Sequence, residues 1–439
     1  MRNGGVDPVE RQIELAFQPG VYIHDRMCFS FVSGLEAIAA DIAKLVIAEP
    51  ARAVALYDTL LAGCHEKAGE LDDSSGSFGQ YVGGLICGWI LARQAAGADA
   101  DKTAGRLVAW MDDDSYAFCY RIEADVARAF DQTGLAAFEK QVRSRFEAAS
   151  SGQTADYPRR QWSGVLRAIY LEQKNPAAYV ALAEQTKLTA QDCHAVATLL
   201  AADDKPEDAL DWVERGLVLA GTLPGAGYDL TRLQRELWVR LGRGEEALAA
   251  AWADFQDRPS KYAYEELAKY VRESERPAWH AKAMDVAKGA DLGCLIELFV
   301  ETDELERLTE LVSGTTDETL EQLSHYYSEP AAEQLQEIQP GLAARLWRAQ
   351  GMRIVNAGKS RHYDAAISDF ERAKSCYERA GLGAEWEETV RQVRARHSRK
   401  TGFRPGFEAL VAGSRRTRQA SFLERAKTRW AGRQGRDDS

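Results

Sequence analysis

The chain has 439 residues, 45% of them hydrophobic and 28% charged, which is the composition of a water-soluble globular protein and the length of two or three domains. Its seven cysteines (28, 64, 87, 119, 193, 294 and 376) are an odd number at wide intervals with no CxxC pair, which argues against a disulfide framework or a structural zinc site. The formal net charge of −12 is uneven. Residues 391–439 carry 14 Lys and Arg against 4 Asp and Glu, so an acidic body is followed by a basic tail.

From the N-terminus, MRNGGVDPVERQIELAF has no apolar core of signal-peptide length, which leads to the expectation of a cytoplasmic protein. Asp7-Pro8-Val9-Glu10 reads as a cap, a first-turn proline and a Glu at the third helical position, opening a helix that ends near Gly20. The richest apolar window, Met27 to Ala48, is broken by Glu36, Asp41 and Lys44 and falls short of the roughly 20 apolar residues of a membrane span. Apolar residues three and four apart then predict helices over 33–47, 50–67, 78–96, 101–111, 114–132, 134–149, 158–173 and 176–186, with Gly, Pro, Asp or Ser between them. No segment alternates as a strand does.

The stretch LDDSSGSFGQYVGGL (71–85) offers three readings: a metal loop, a phosphate cradle or a helix start. A calcium loop counted from Asp72 would need a Glu at its twelfth position, where Gly83 stands. A phosphate loop needs a lysine, and none occurs between Lys67 and Lys102. The helix reading fits: Ser77 and Gln80 form a capping box, and Phe78, Tyr81, Val82, Leu85, Ile86, Trp89 and Ile90 share a face. Gly79, Gly83, Gly84 and Gly88 leave another face bare for close helix packing.

Asp112-Asp113-Asp114 reads in the same way, as the cap of a helix beginning near Tyr116, because consecutive carboxylates do not converge on one cation. Cys64-His65, Cys193-His194 and the pair His24 and Cys28 supply too few convergent ligands for zinc, so neither a metal nor another cofactor is expected. GxSxG, HExxH and GxGxxG are all lacking, which leads to the expectation of a non-enzyme.

Self-similarity appears in the second half. KPEDALDWVERGL (205–217), LGRGEEALAAAWADFQDRP (241–259) and HYDAAISDFERA (362–373) each place an acid, a small residue, an aliphatic and then an aromatic or apolar residue a turn later. These segments resemble tetratricopeptide repeats, with Ala209, Ala247 and Ala366 as the small residue, Pro259 at the repeat-ending position, and Phe370 and Ala373 also matching. Asp254 departs from the pattern, and the spacing from Ala209 to Ala247 is longer than the repeat length of about 34. The resemblance is strong over about a quarter of the chain and loose from Tyr157 to Arg396.

The order of an acidic-serine-glycine loop, degenerate hairpins and a closing RHYDAAISDFERAKSCYERAGLGAEWEETVRQVRARHSRK (361–400) also resembles the helical region of bacterial SWIM zinc-finger proteins and related uncharacterised bacterial helical proteins. The finger itself, CxC followed by CxH, is absent, so its nucleic-acid role is not carried over. The expected architecture is an all-α superhelix of TPR-like hairpins: an irregular helical module over 1–155, hairpin repeats over 156–400 and a basic extension over 401–439.

Such a fold implies a non-catalytic intracellular scaffold that binds a protein or peptide, with a nucleic-acid-associated regulator acting through the basic segment as the alternative. Aromatic residues at helical spacing, such as Trp212, Trp238, Trp252, Tyr262, Tyr264, Tyr270 and Trp279, read as core, and any facing outward are candidate anchors. The candidate partner-binding residues are Tyr326 and Tyr327 in the dense His325-Tyr326-Tyr327 cluster, and Arg391, Arg394, Arg415, Arg416 and Arg418 in the basic tail.

Overall fold

The computed structural model describes residues 7–149, 156–221, 225 and 227–413. It divides into two compact units, residues 1–242 and 243–439.

The first unit runs α1 (Pro8–Ala16), α2 (Asp25–Ala48), α3 (Pro50–Ala68), α4 (Ser77–Ala95), α5 (Ala100–Asp112), α6 (Glu123–Ala129), α7 (Gln132–Ala148), α8 (Asp156–Glu172), α9 (Pro176–Thr186), α10 (Ala190–Ala202), α11 (Pro206–Ala220) and α12 (Tyr228–Arg240). Local chemistry sets many of these starts. Pro8, Pro50, Pro176 and Pro206 occupy the first turn, where their missing N–H is not needed. Asp7, Asp99, Asp131 and Asn175 accept first-turn N–H groups, and Thr189 with Asp192 forms a reciprocal capping box. Among the described residues, extended pairing is limited to one bridge between Ile23 and Leu71.

A continuous core fills this unit from Ile13 to Val196, with Trp89, Phe78, Phe138 and Tyr170 fully buried, and a smaller cluster of Ala197, Ala209, Leu210, Val213, Leu230 and Leu237 holds α10–α12 together. The core passes through α7 and α8, on either side of the 155/156 boundary suggested by the sequence, and residues 150–155 lie outside the described set.

The second unit comprises α13 (Gly244–Asp257), α14 (Lys261–Tyr270), α15 (Arg276–Ala287), α16 (Leu292–Glu301), α17 (Leu305–Gly314), α18 (Asp317–Leu320), α19 (His325–Leu335), α20 (Pro340–Asn356), α21 (Tyr363–Ala380), α22 (Gly383–Arg396) and α23 (Arg404–Val411). Its core runs from Ala251 to Phe407 and centres on Trp347, Phe370, Phe403 and Phe407. The fold is therefore all-α, built from packed helical hairpins. Among the described residues no helix is long and apolar enough to cross a membrane.

Ala209, Ala247 and Ala366 are all fully buried, as small residues at a helix crossing must be. The helix carrying Ala366, α21, nevertheless packs mainly on α20, which precedes it. Gly351 of α20 permits this, since a Cβ there would lie 3.0 Å from the Phe370 ring.

Three boundaries differ from the sequence reading. Helix α2 begins at Asp25 rather than 33, because Cys28 and Val32 continue its buried face while Met27 and Phe29 point outward. The helix expected over 114–132 is broken: Asp114 accepts the N–H groups of Phe118 and Cys119 at 2.8 and 2.7 Å, Ala117 and Arg121 take left-handed φ of 58° and 61°, and helix resumes only at Glu123. The cap of α4 is Asp73, which accepts from Phe78 and Gly79 at 3.0 and 2.8 Å, and not Ser77. Gly76 turns the chain there with φ of 71°.

Candidate functional site

The first unit contains a half-open cleft of about 430 Å³ between α3, α4, α5 and the 113–122 turn. Its floor is apolar, from Leu61 of α3, Val82 and Ile86 of α4, Trp110 of α5 and Phe118 of the turn. Its rim carries Asp58, His65, Glu66, Arg106, Asp113 and Asp114. Helix α4 comes close enough to form the floor because two of its glycines face other elements: a Cβ at Gly88 would lie 2.6 Å from the Tyr57 hydroxyl, and one at Gly83 would lie 2.8 Å from Ile122. Gly84 meets nothing. His65 of the Cys64-His65 pair, Asp113 and Asp114 of the triple acid, and the glycine-marked helix, read separately in the sequence, thus meet at one place.

The rim charges are not equivalent. Asp58 accepts the Trp89 indole N–H at 2.9 Å and pairs with Arg106 at 2.9 Å, and the Arg106 guanidinium stacks over Trp89 and Trp110 at 5.3 and 5.0 Å. Asp114 is occupied by its two backbone donors. Asp112 turns away from the cleft to pair with Arg145 at 2.7 Å. His65 packs edge-on against Tyr116, with ring centroids 5.3 Å apart. Among the described residues no ion pair or hydrogen bond engages the carboxylate of Glu66 or of Asp113, both of which are exposed. The rim therefore presents two open carboxylates above an apolar floor.

Burial, reinforced by the charges of Asp114 and Glu123, pushes the Cys119 thiol up to about 12, so it is a thiol and not a nucleophilic thiolate at neutral pH. Among the described residues no group of three or more His, Cys, Asp or Glu is placed to hold a metal ion.

In the second unit a wider cleft of about 640 Å³ is lined by Asp317, Arg345, Arg348, Tyr377, Glu388 and Gln392 among others. Its cations are engaged internally. Arg345 pairs with Asp317 at 2.9 Å and donates to the Val312 and Thr315 carbonyls, while buried Arg348 reaches Asp317 at 2.8 Å and Glu321 at 3.2 Å. Glu321, also buried, receives Arg396 and Asn356 as well. This is a brace between α18 and α20.

A chain of hydrogen bonds that sequence reading did not identify runs from Tyr264 to His280 Nδ1 at 2.7 Å and from His280 Nε2 to Glu304 at 2.8 Å. It lines neither cleft and joins α14, α15 and the turn before α17. No sequence signal marks it, because its three members lie on separate elements.

The sequence-selected residues are dispersed. Tyr326 is 75% exposed and stacks on His325, with centroids 4.0 Å apart. Tyr327 turns inward onto α16, where a Cβ at Gly293 would lie 2.7 Å from its ring. Arg391 pairs with Glu388 at 2.8 Å, and Arg394 forms a two-point pair with Glu408 at 2.6 and 3.1 Å, holding the Glu408 carboxyl below its ordinary range. Arg415, Arg416 and Arg418 lie outside the described residues.

A surface that the sequence reading missed lies at the start of α2. Val21, Tyr22, Met27 and Phe29 are all more than half exposed, Phe29 at 75%. The loop carrying Val21 is anchored by Lys67, a buried lysine that donates to the carbonyls of Gln18 and Val21 and to Glu70 at 3.1, 2.8 and 2.7 Å. The available signal was an α2 sequence with more large apolar residues than one buried face can hold.

Fold and clefts together define an all-α protein of packed helical hairpins. The chain belongs to a family of unknown function, DUF6880, whose model matches residues 22–405. Among solved structures, a chain of Naa15/Naa10 bound to HypK-THB is 15% identical with a TM-score of 0.34, covering 89% of this chain and 63% of that one. The chain thus spans less than two thirds of that relative's length. No curated protein matches the sequence.

Proposed function

We propose that this protein is a non-catalytic binding module that engages a protein or peptide partner. The carrying observation is the exposure of four large apolar side chains close in sequence: Val21 and Tyr22 on a loop whose backbone is fixed to the buried Lys67, and Met27 and Phe29 on the first turns of α2. Four exposed large apolar side chains within nine residues are a local excess of exposed apolar area, and a protein contact is the usual way to cover such area. Tyr326, stacked on His325, supplies a second exposed aromatic anchor.

The nucleic-acid alternative rests on the net positive charge of residues 391–439. Most of its described members favour the protein reading, since Arg391, Arg394, Arg396, Lys400 and Arg404 have intramolecular acceptors, while Arg399 is exposed. The likeness to the helical region of SWIM proteins rests on motif order and brings no activity with it.

The test is affinity capture of the tagged protein with nuclease treatment at low and high salt, comparing the wild type with Met27→Ser/Phe29→Ser. A stoichiometric protein partner retained by the wild type and lost by the double variant is the expected result. Recovery of nucleic acid alone, abolished by deleting residues 391–439, would overturn the reading.

A further inference from the structure

We propose that the α3–α5 cleft of the first unit is a receptor for a basic peptide segment, with a lysine or arginine side chain at its acidic rim and an adjacent aliphatic residue on its floor. This rests on the partner-binding reading and adds what one partner must carry.

The argument is charge complementarity over a concave apolar surface. Four carboxylates line the cleft, those of Asp58, Glu66, Asp113 and Asp114, against the single guanidinium of Arg106. That guanidinium is committed to Asp58 and two tryptophan faces, so it cannot neutralise Glu66 or Asp113. An anionic ligand, nucleic acid included, would meet like charge. A cation with a hydrocarbon stem fits both parts, its stem lying along Leu61, Ile86 and Phe118 while its charge reaches the open carboxylates. At about 430 Å³ the cleft falls within the range of sites that enclose a small ligand and has room for a basic side chain and an apolar neighbour. The cleft is also preorganised, because Asp114 fixes the turn bearing Phe118 and the Trp89–Asp58–Arg106 contacts fix the facing wall.

The probe is a fluorescein-labelled octapeptide alternating leucine with arginine, followed by fluorescence anisotropy, with a citrulline counterpart that keeps shape and removes charge. Glu66→Gln/Asp113→Asn should weaken binding by about two- to thirtyfold, as expected for two exposed charge contacts, without changing the circular dichroism spectrum. Asp101→Asn/Glu172→Gln, which removes two exposed carboxylates outside the cleft, should leave affinity unchanged. Citrulline should weaken wild-type binding to the same degree and abolish the difference between wild type and the cleft variant. Unchanged affinity in the cleft variant, equal loss in the control variant, or no binding of the arginine peptide each overturns the proposal. Competition by millimolar arginine amide as effective as the peptide would overturn it in favour of a small-amine site. The capture experiment on Met27 and Phe29 reads a different surface, so failure here is distinguishable from failure of the binding-module reading.

Discussion

Asp369 on α21 gives the second unit a pH-dependent stability whose sign and size follow from its surroundings. The side chain is buried against α20, where Gln350 donates to one carboxylate oxygen at 3.5 Å while the other oxygen has no partner. Burial pushes its pKa from 3.8 up to about 7; Arg372 opposes the rise, Glu329 on α19 adds to it, and the Gln350 bond opposes it. The unfolded chain therefore ionises this group near pH 4, whereas the folded chain holds the proton until about pH 7. Between those values folding must retain a proton that the unfolded state has released, and stability falls by about 1.4 kcal/mol per pH unit. The loss is complete once pH exceeds the folded value. From pH 5 to pH 8 the group costs about 3 kcal/mol. Asp369→Asn removes the titration and keeps an acceptor for Gln350. The assay is urea denaturation of wild type and variant at pH 5, 6, 7 and 8 by circular dichroism, so that other titrating groups cancel in the difference. The variant should gain about 3 kcal/mol on the wild type across that range. A difference that stays flat from pH 5 to 8, or a carboxyl carbon resonance of Asp369 titrating near pH 4, would refute the reasoning.

Arg348→Met should destabilise by about 3–5 kcal/mol, because it leaves the buried Glu321 carboxylate with only the longer contacts to Arg396 and Asn356. The double variant with Glu321→Gln should recover most of that loss in thermal denaturation, and failure to recover would mean that the brace is not an ionic unit. Gly88→Val should cost about 1–3 kcal/mol or more, since the new side chain would enter the Tyr57 ring at the α3–α4 crossing; an unchanged melting temperature would count against that close approach. Cys87 and Cys119, with thiols pushed up by burial to about 11 and about 12, should resist iodoacetamide at pH 8 in the native protein, as read by peptide mass spectrometry. Labelling at the rate of the unfolded chain would contradict their placement.

Much of the architecture was legible in the sequence because its cues are local. A 3.6-residue apolar period, prolines at first turns and Asp, Asn or Thr at caps act within one helix, and they located α1, α3, α4, α5, α7, α8 and α9 to within a few residues. The buried alanines of the tetratricopeptide-like segments were legible for the same reason. Where the cue was shared between two outcomes, the reading erred: Asp114 can cap a helix or hold a turn, and the chain takes the turn, with left-handed residues at Ala117 and Arg121.

The site was decided by tertiary structure. In the sequence Glu66 is one acid among many, and Asp113 reads as part of a helix-capping triple acid. They become a candidate site only because α3 and α5 bring them to one rim and because Arg106, the cation that would neutralise them, is drawn into the Trp89–Asp58 contact. The same holds for the basic residues: Arg394 reads in the sequence as a candidate partner-binding residue, but Glu408, fourteen residues on, occupies it. Periodicity states which face of a helix is apolar. Which partner covers that face, and which charges are left open, depends on contacts between elements distant in sequence, and those exist only once the hairpins have packed.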